Sequence, residues 1–126
     1  MLTPSYGNVL RNVVFISTRL VLLQTLRAGY RMELDCDNKQ EIKNFRSGAL
    51  LSVIRATLEE LEPYMEFLVL CEDGRIDIPT DQLPHILDLI KDLSDFYGWA
   101  TEEVKLKNQR MALIELESKW KEENMD

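Results

Sequence analysis

From Asn8 to Ala28 the polar residues Asn8, Arg11, Asn12, Thr18, Arg19 and Thr25 recur around seven-residue intervals and fall on one narrow face of a helix. Val9, Leu10, Val13, Val14, Ile16, Leu20, Val21 and Leu23 cover most of the remaining circumference. A helix that is apolar nearly all round belongs in a protein core or in a membrane. Arg19 interrupts the roughly 20 apolar residues that a membrane span requires, so the segment is expected to be the central helix of a bundle. Gly29 is its expected C-cap. The β-branched run Val13-Val14-Phe15-Ile16 is the one feature a strand would share.

Beyond a polar turn at Asp35-Cys36-Asp37-Asn38, a second apolar stripe runs through Ile42, Phe45, Ala49, Val53, Leu58, Leu61, Met65 and Leu68. Gly48 weakens this helix and Pro63 kinks or ends it, which predicts order over about residues 39–62. The run Phe67-Leu68-Val69-Leu70, followed by Asp73-Gly74 and Arg75-Ile76-Asp77-Ile78, resembles a short β-hairpin near residues 67–78, because Asp-Gly suits a turn with positive φ; the competing reading is a helix tail followed by an extended linker. Thr80 or Asp81 then caps a third helix with a core stripe of Leu83, Ile86, Leu87, Ile90, Leu93 and Tyr97, closed by Gly98. Thr101, with Glu102 and Glu103 behind it, starts a fourth that runs toward Lys121. Its Leu106, Leu113 and Trp120 repeat at seven with Leu116 beside them, a seam able to continue into a partner. The expected fold is therefore mainly α, a single helical domain over residues 1–126 built as a bundle of about four helices with one short hairpin.

Charge is divided along the chain. Residues 1–57 carry a net charge of +4 and residues 58–126 a net charge of −11, and no acid precedes Glu33. The acidic half repels phosphate backbones, so direct nucleic-acid binding is not expected and a basic protein or a cation suits it better. Cys36 and Cys71 are the two cysteines and match neither a zinc pattern nor a disulfide framework, which points to reduced thiols in the cytoplasm. An Arg-bearing, acid-free start is also how an organelle-targeting presequence reads, the alternative to that location.

Two clusters could carry chemistry. Asp81, His85, Asp88, Asp92 and Asp95 follow at steps of four, three, four and three and share one helical face. Glu59, Glu60, Glu62 and Glu66 form a second acidic group, with Glu59, Glu62 and Glu66 at neighbouring positions. Carboxylates from two helices that converge can hold a divalent ion; faces that diverge are ordinary solvated surface, the commoner outcome for an amphipathic helix. His85 is the only histidine, no cysteine lies near it in sequence, and the five glycines are scattered singly rather than gathered in a phosphate loop.

The Glu59-Glu60-Leu61-Glu62 and Glu66 group, the later acidic helix, and Gly98 followed by Glu102-Glu103 together resemble the all-helical MazG-like nucleotide pyrophosphohydrolases over about 50–60 residues. Those enzymes hold magnesium with a Glu-Glu-x-x-Glu helix and a later Glu-x-x-Asp helix. Here the first spacing is shortened, and Gln82-Leu83-Pro84-His85 stands where the second motif has its acids. The resemblance implies magnesium on Glu59, Glu62, Glu66, Asp88 and Asp92, where it would activate water.

The charge pattern favours binding over catalysis. The expectation is a small acidic regulatory or assembly protein whose Asp81, His85, Asp88, Asp92 and Asp95 steer a basic protein surface, with Trp99 and Trp120 as anchors. Mimicry of nucleic-acid charge is one form of this, and a homodimer through apolar helical faces is another. For the two tryptophans, ordinary burial is the competing reading. No cofactor is expected, and magnesium enters only with the hydrolase alternative. A membrane-surface protein inserting its first helix is the remaining alternative, although a membrane partner is not what the composition favours.

Overall fold

The computed structural model describes residues 8–124. The chain is all-helical, with three packed α-helices: α1 (Val9–Asp35), α2 (Gln40–Glu72) and α3 (Leu83–Glu123), the last preceded by a single 3₁₀ turn at Thr80–Gln82. No strand occurs among the described residues. The helical class expected from the sequence holds, whereas the hairpin and the count of four helices do not.

Each difference has a local cause. α1 starts at Asn8, whose Oδ1 accepts the backbone N–H of Arg11 at 3.2 Å. It does not stop at Gly29, because the next turn is held by tertiary contacts: Tyr30 is 2 % exposed and donates its hydroxyl to Glu103 Oε2 at 2.8 Å. α2 likewise continues through Pro63 to Glu72. The apolar run expected as a strand is the last stretch of this helix, with Phe67, Leu68 and Cys71 buried at helical spacing. Asp-Gly is still a turn with positive φ, Gly74 at 74°, but it closes a helix instead of a hairpin. Arg75 N–H reaches Leu70 O at 2.9 Å and Gly74 N–H reaches Cys71 O at 3.2 Å, the paired bonds of a Schellman motif.

Ile76 and Ile78 then pack on the core as the chain crosses to α3. Thr80 and Asp81, expected as caps, lie in the 3₁₀ turn and make no capping hydrogen bond there. The expected third and fourth helices are one helix of 41 residues, about 60 Å long at 1.5 Å per residue. Gly98 does not end it: Phe96 and Ala100 on either side are buried, and that packing carries the helix through. Thr101 bonds Tyr97 O at 2.9 Å within the same helix rather than starting a new one.

The core joins Val13, Ile16, Leu20 and Leu23 of α1 to Leu51, Ile54, Leu58 and Leu61 of α2 and Ile86, Leu89, Leu93 and Phe96 of α3. Two expected faces are turned. In α2 the expected Ile42, Phe45, Ala49 and Val53 are exposed, and Ser47, Leu51 and Ile54 are buried instead. The segment is apolar on both sides, and the side that meets α1 and α3 becomes the core. α1 is covered on one side only, not all round: Leu10, Val14, Val21 and Met32 are 56–72 % exposed. This helix is long and apolar enough to cross a membrane, and 28 % of its most apolar stretch is buried.

Candidate binding surface

The acidic residues of α3 are placed by contacts with α1. His85 Nε2 and Ser17 Oγ share a hydrogen bond of 3.3 Å. One further stretch along, the Arg27 guanidinium lies over the rings of Phe96 (4.7 Å) and Trp99 (5.4 Å), and Arg31 lies over Trp99 at 5.8 Å. Tyr30 and Phe96 meet Trp99 edge-on at 5.7 and 5.3 Å. Burial first, and then the neighbouring Arg31, pull Arg27 below the ordinary guanidinium value. The contacts Ser17–His85, Arg27–Phe96 and Tyr30–Glu103 advance together along both helices, so α1 and α3 run side by side in the same direction.

That register brings two features together. His85, Asp88, Asp92 and Asp95 along α3, and Asp81 in the 3₁₀ turn before it, are all exposed. The ion pairs among the described residues engage Glu33, Glu60 and Glu117, and none of these four aspartates. Along α1, beside them, runs the outward stripe of Leu10, Val14, Val21, Ala28 and Met32. Thr18 and Thr25 interrupt the stripe only nominally, because each hydroxyl bonds the carbonyl four residues back, Val14 O at 2.8 Å and Val21 O at 3.0 Å. The sequence signal for this stripe was present in the seven-residue spacing of Val14, Val21 and Ala28, hidden by the apolar residues around the rest of the helix.

The glutamates of α2 lie elsewhere. Glu59 and Glu62 border a groove of about 420 Å³ between α2 and α3, floored by Leu58, Tyr97, Ala100 and Val104, and Glu66 continues the same edge. Tyr97 donates to Leu58 O at 2.6 Å, and burial, with Glu62 adding to it, pushes its phenol up to about 12. Tyr97 and Trp99 are two residues apart and therefore point to nearly opposite sides of α3. Glu59 and Glu62 sit on the Tyr97 side, whereas Asp88, Asp92 and Asp95 share the Trp99 side. Among the described residues no three His, Cys, Asp or Glu side chains gather as a metal-ligand group, so Glu59, Glu62, Glu66, Asp88 and Asp92 are not brought together. Glu60 turns the other way and pairs with Arg19 at 3.1 Å, one of the links between the basic first helix and the acidic middle.

The two tryptophans have separate fates. Trp99 is half-buried in the aromatic–arginine cluster, and Trp120 is 63 % exposed near the end of α3. Leu106, Leu113 and Leu116 are 40–65 % exposed on the same stretch. Neither thiol joins a site: Cys36 and Cys71 are both free, and burial pushes Cys71 up. No protein-family model, curated protein or solved structure matches this chain.

Proposed function

We propose that this is an acidic helical binding or regulatory protein that engages a macromolecular partner, a protein with a basic amphipathic segment, along its α1–α3 face. The observation that carries this reading is the juxtaposition of an uncovered apolar strip on α1 with the unpaired Asp88, Asp92 and Asp95 on α3 and Asp81 in the 3₁₀ turn before it. A partner helix laid along this face meets apolar contacts on one flank and carboxylates on the other. The carboxylates raise the encounter rate, and the apolar contacts set the lifetime of the complex. The free thiols Cys36 and Cys71 suit a reducing compartment, in keeping with a cytoplasmic role.

The test is affinity capture with the wild-type chain and with Asp88→Asn/Asp92→Asn/Asp95→Asn, followed by binding measurements on the purified captured protein. The association rate should fall about tenfold or more in the variant and show a shallower salt dependence. Equal rates at low salt would remove charge-steered recognition.

A second reading rests on the same α1 strip, whose hydroxyls are satisfied within the helix, as suits a lipid environment. In this reading α1 lies in a membrane surface. Co-sedimentation with anionic vesicles that is abolished by Val14→Asp/Val21→Asp would support it, and absence of wild-type binding would end it.

A further inference from the structure

The last stretch of α3 presents a seam of its own. Leu106, Leu113 and Trp120 at seven-residue spacing, with Leu116 between them, are 40–65 % exposed, although Leu113 also borders a pocket toward Tyr30, Leu34 and Ser47. The flanking charges are sorted along the helix. Residues 105–110 carry Lys105, Lys107 and Arg110 with no acid, while residues 115–123 carry four glutamates against Lys119 and Lys121. A parallel pair of such helices sets the basic stretch against itself. An antiparallel pair sets the basic stretch of each copy against the acid-rich stretch of the other.

We infer that the covering partner of this seam is a second copy of the chain, paired antiparallel through residues 106–123 of α3. When Leu113 of one copy packs on Leu116 of the other, Lys105 falls opposite Asn124 and one residue, about 1.5 Å of rise, from Glu123, and both pairings occur twice by the two-fold symmetry. Trp120 of each copy then lies across Gln109 of the other, covering the ring that the single chain leaves in solvent. The strip is about 27 Å long at 1.5 Å per residue, which puts the contact at the small, reversible end of protein interfaces. The dimer therefore assembles in the micromolar range. This inference does not rest on the α1–α3 surface, which stays open in the dimer.

Sedimentation velocity of the full chain from about 1 µM to several hundred micromolar reads the outcome. The mass should rise from 14.7 kDa toward twice that value. Leu113→Asp/Leu116→Asp, at positions 65 % and 63 % exposed, should keep the helical circular dichroism and weaken association at least about tenfold. Asp88→Asn/Asp92→Asn/Asp95→Asn should associate like the wild type, which separates this interface from the acidic face. Lys105→Glu and Glu123→Lys should each weaken the dimer, and an equimolar mixture of the two should restore it by about fivefold, because the mixed pair regains both attractions. A wild-type chain that stays monomeric throughout, or a Leu113→Asp/Leu116→Asp chain that associates unchanged, overturns the interface. A mixture no tighter than its components overturns the antiparallel pairing.

Discussion

Tyr97 illustrates how much a single side chain can tie together. Its hydroxyl fastens α3 to the Leu58 carbonyl of α2, and its ring floors the groove edged by Glu59 and Glu62. Tyr97→Phe should cost about 1 kcal/mol in urea-induced unfolding, the usual net worth of such a bond. A pH effect follows from the raised phenol. The folded protein holds the proton up to about 12, while the unfolded chain releases it near 10, so this contribution is complete below about pH 10 and is lost as pH rises toward 12. Alkaline unfolding of Tyr97→Phe should accordingly be less steep over that interval, and identical slopes would contradict the assignment. None of this was legible in the sequence, where Tyr97 reads as one more residue of an apolar stripe. The acidic positions Asp88, Asp92 and Asp95 were legible, because a four-three rhythm needs only the helix to place them on one face, whereas Asp81 lies in the 3₁₀ turn before it. Trp99 shows the limit: its burial depends on Arg27, Arg31 and Tyr30, which lie about 70 residues away in the chain.

At the scale of the element, the glycines decide where local signals are obeyed. Gly74 has φ 74° and closes α2, so Gly74→Ala should destabilise the fold by about 1 kcal/mol. Gly98 sits within α3, and a Cβ there meets nothing within 4 Å. Gly98→Ala should therefore stabilise by roughly 0.5–1 kcal/mol and raise the Tm by a few degrees. Thermal melts of the two variants should move in opposite directions; movement of both in one direction would refute the distinction. The same contrast explains which boundaries the sequence could give. Asp73-Gly74 marks a true turn, whereas Gly29, Pro63 and Gly98 are overridden by the burial of Tyr30, Phe67 and Phe96 beyond or beside them. Propensity at these positions is worth about 1 kcal/mol for glycine and about 3 for proline, and burying a large side chain competes with that on equal terms. The hairpin reading failed for a related reason, since a short apolar run next to a turn fits a strand and a helix end alike.

At the scale of the whole molecule, the two acidic groups face different ways, one along the α1–α3 side and one along the α2–α3 groove. Magnesium at millimolar concentration should then leave the Tm within about 1 °C of the metal-free value, and an upward shift of several degrees would show that a cation draws the groups together. The charge division of the sequence is only partly visible on the surface, because Arg19 pairs with Glu60 and Arg27 and Arg31 lie on aromatic rings. What the sequence could not show is how incompletely three helices cover a chain expected to form four. The uncovered strip on α1 and the uncovered seam on α3 both follow from that arithmetic.

Both tryptophans reside on α3, Trp99 packed against Tyr30 of α1 and Trp120 63 % exposed, which gives the bundle a built-in clock for its own assembly. α1 and α2 are neighbours in sequence and can pair early, whereas the seat of Trp99 against Tyr30 closes a loop of about 70 residues and should come last. In a Trp120→Phe chain, stopped-flow refolding should show helical dichroism gained before or together with the change in Trp99 emission. Emission that changes first would mean that α3, the longest helix, organises the other two.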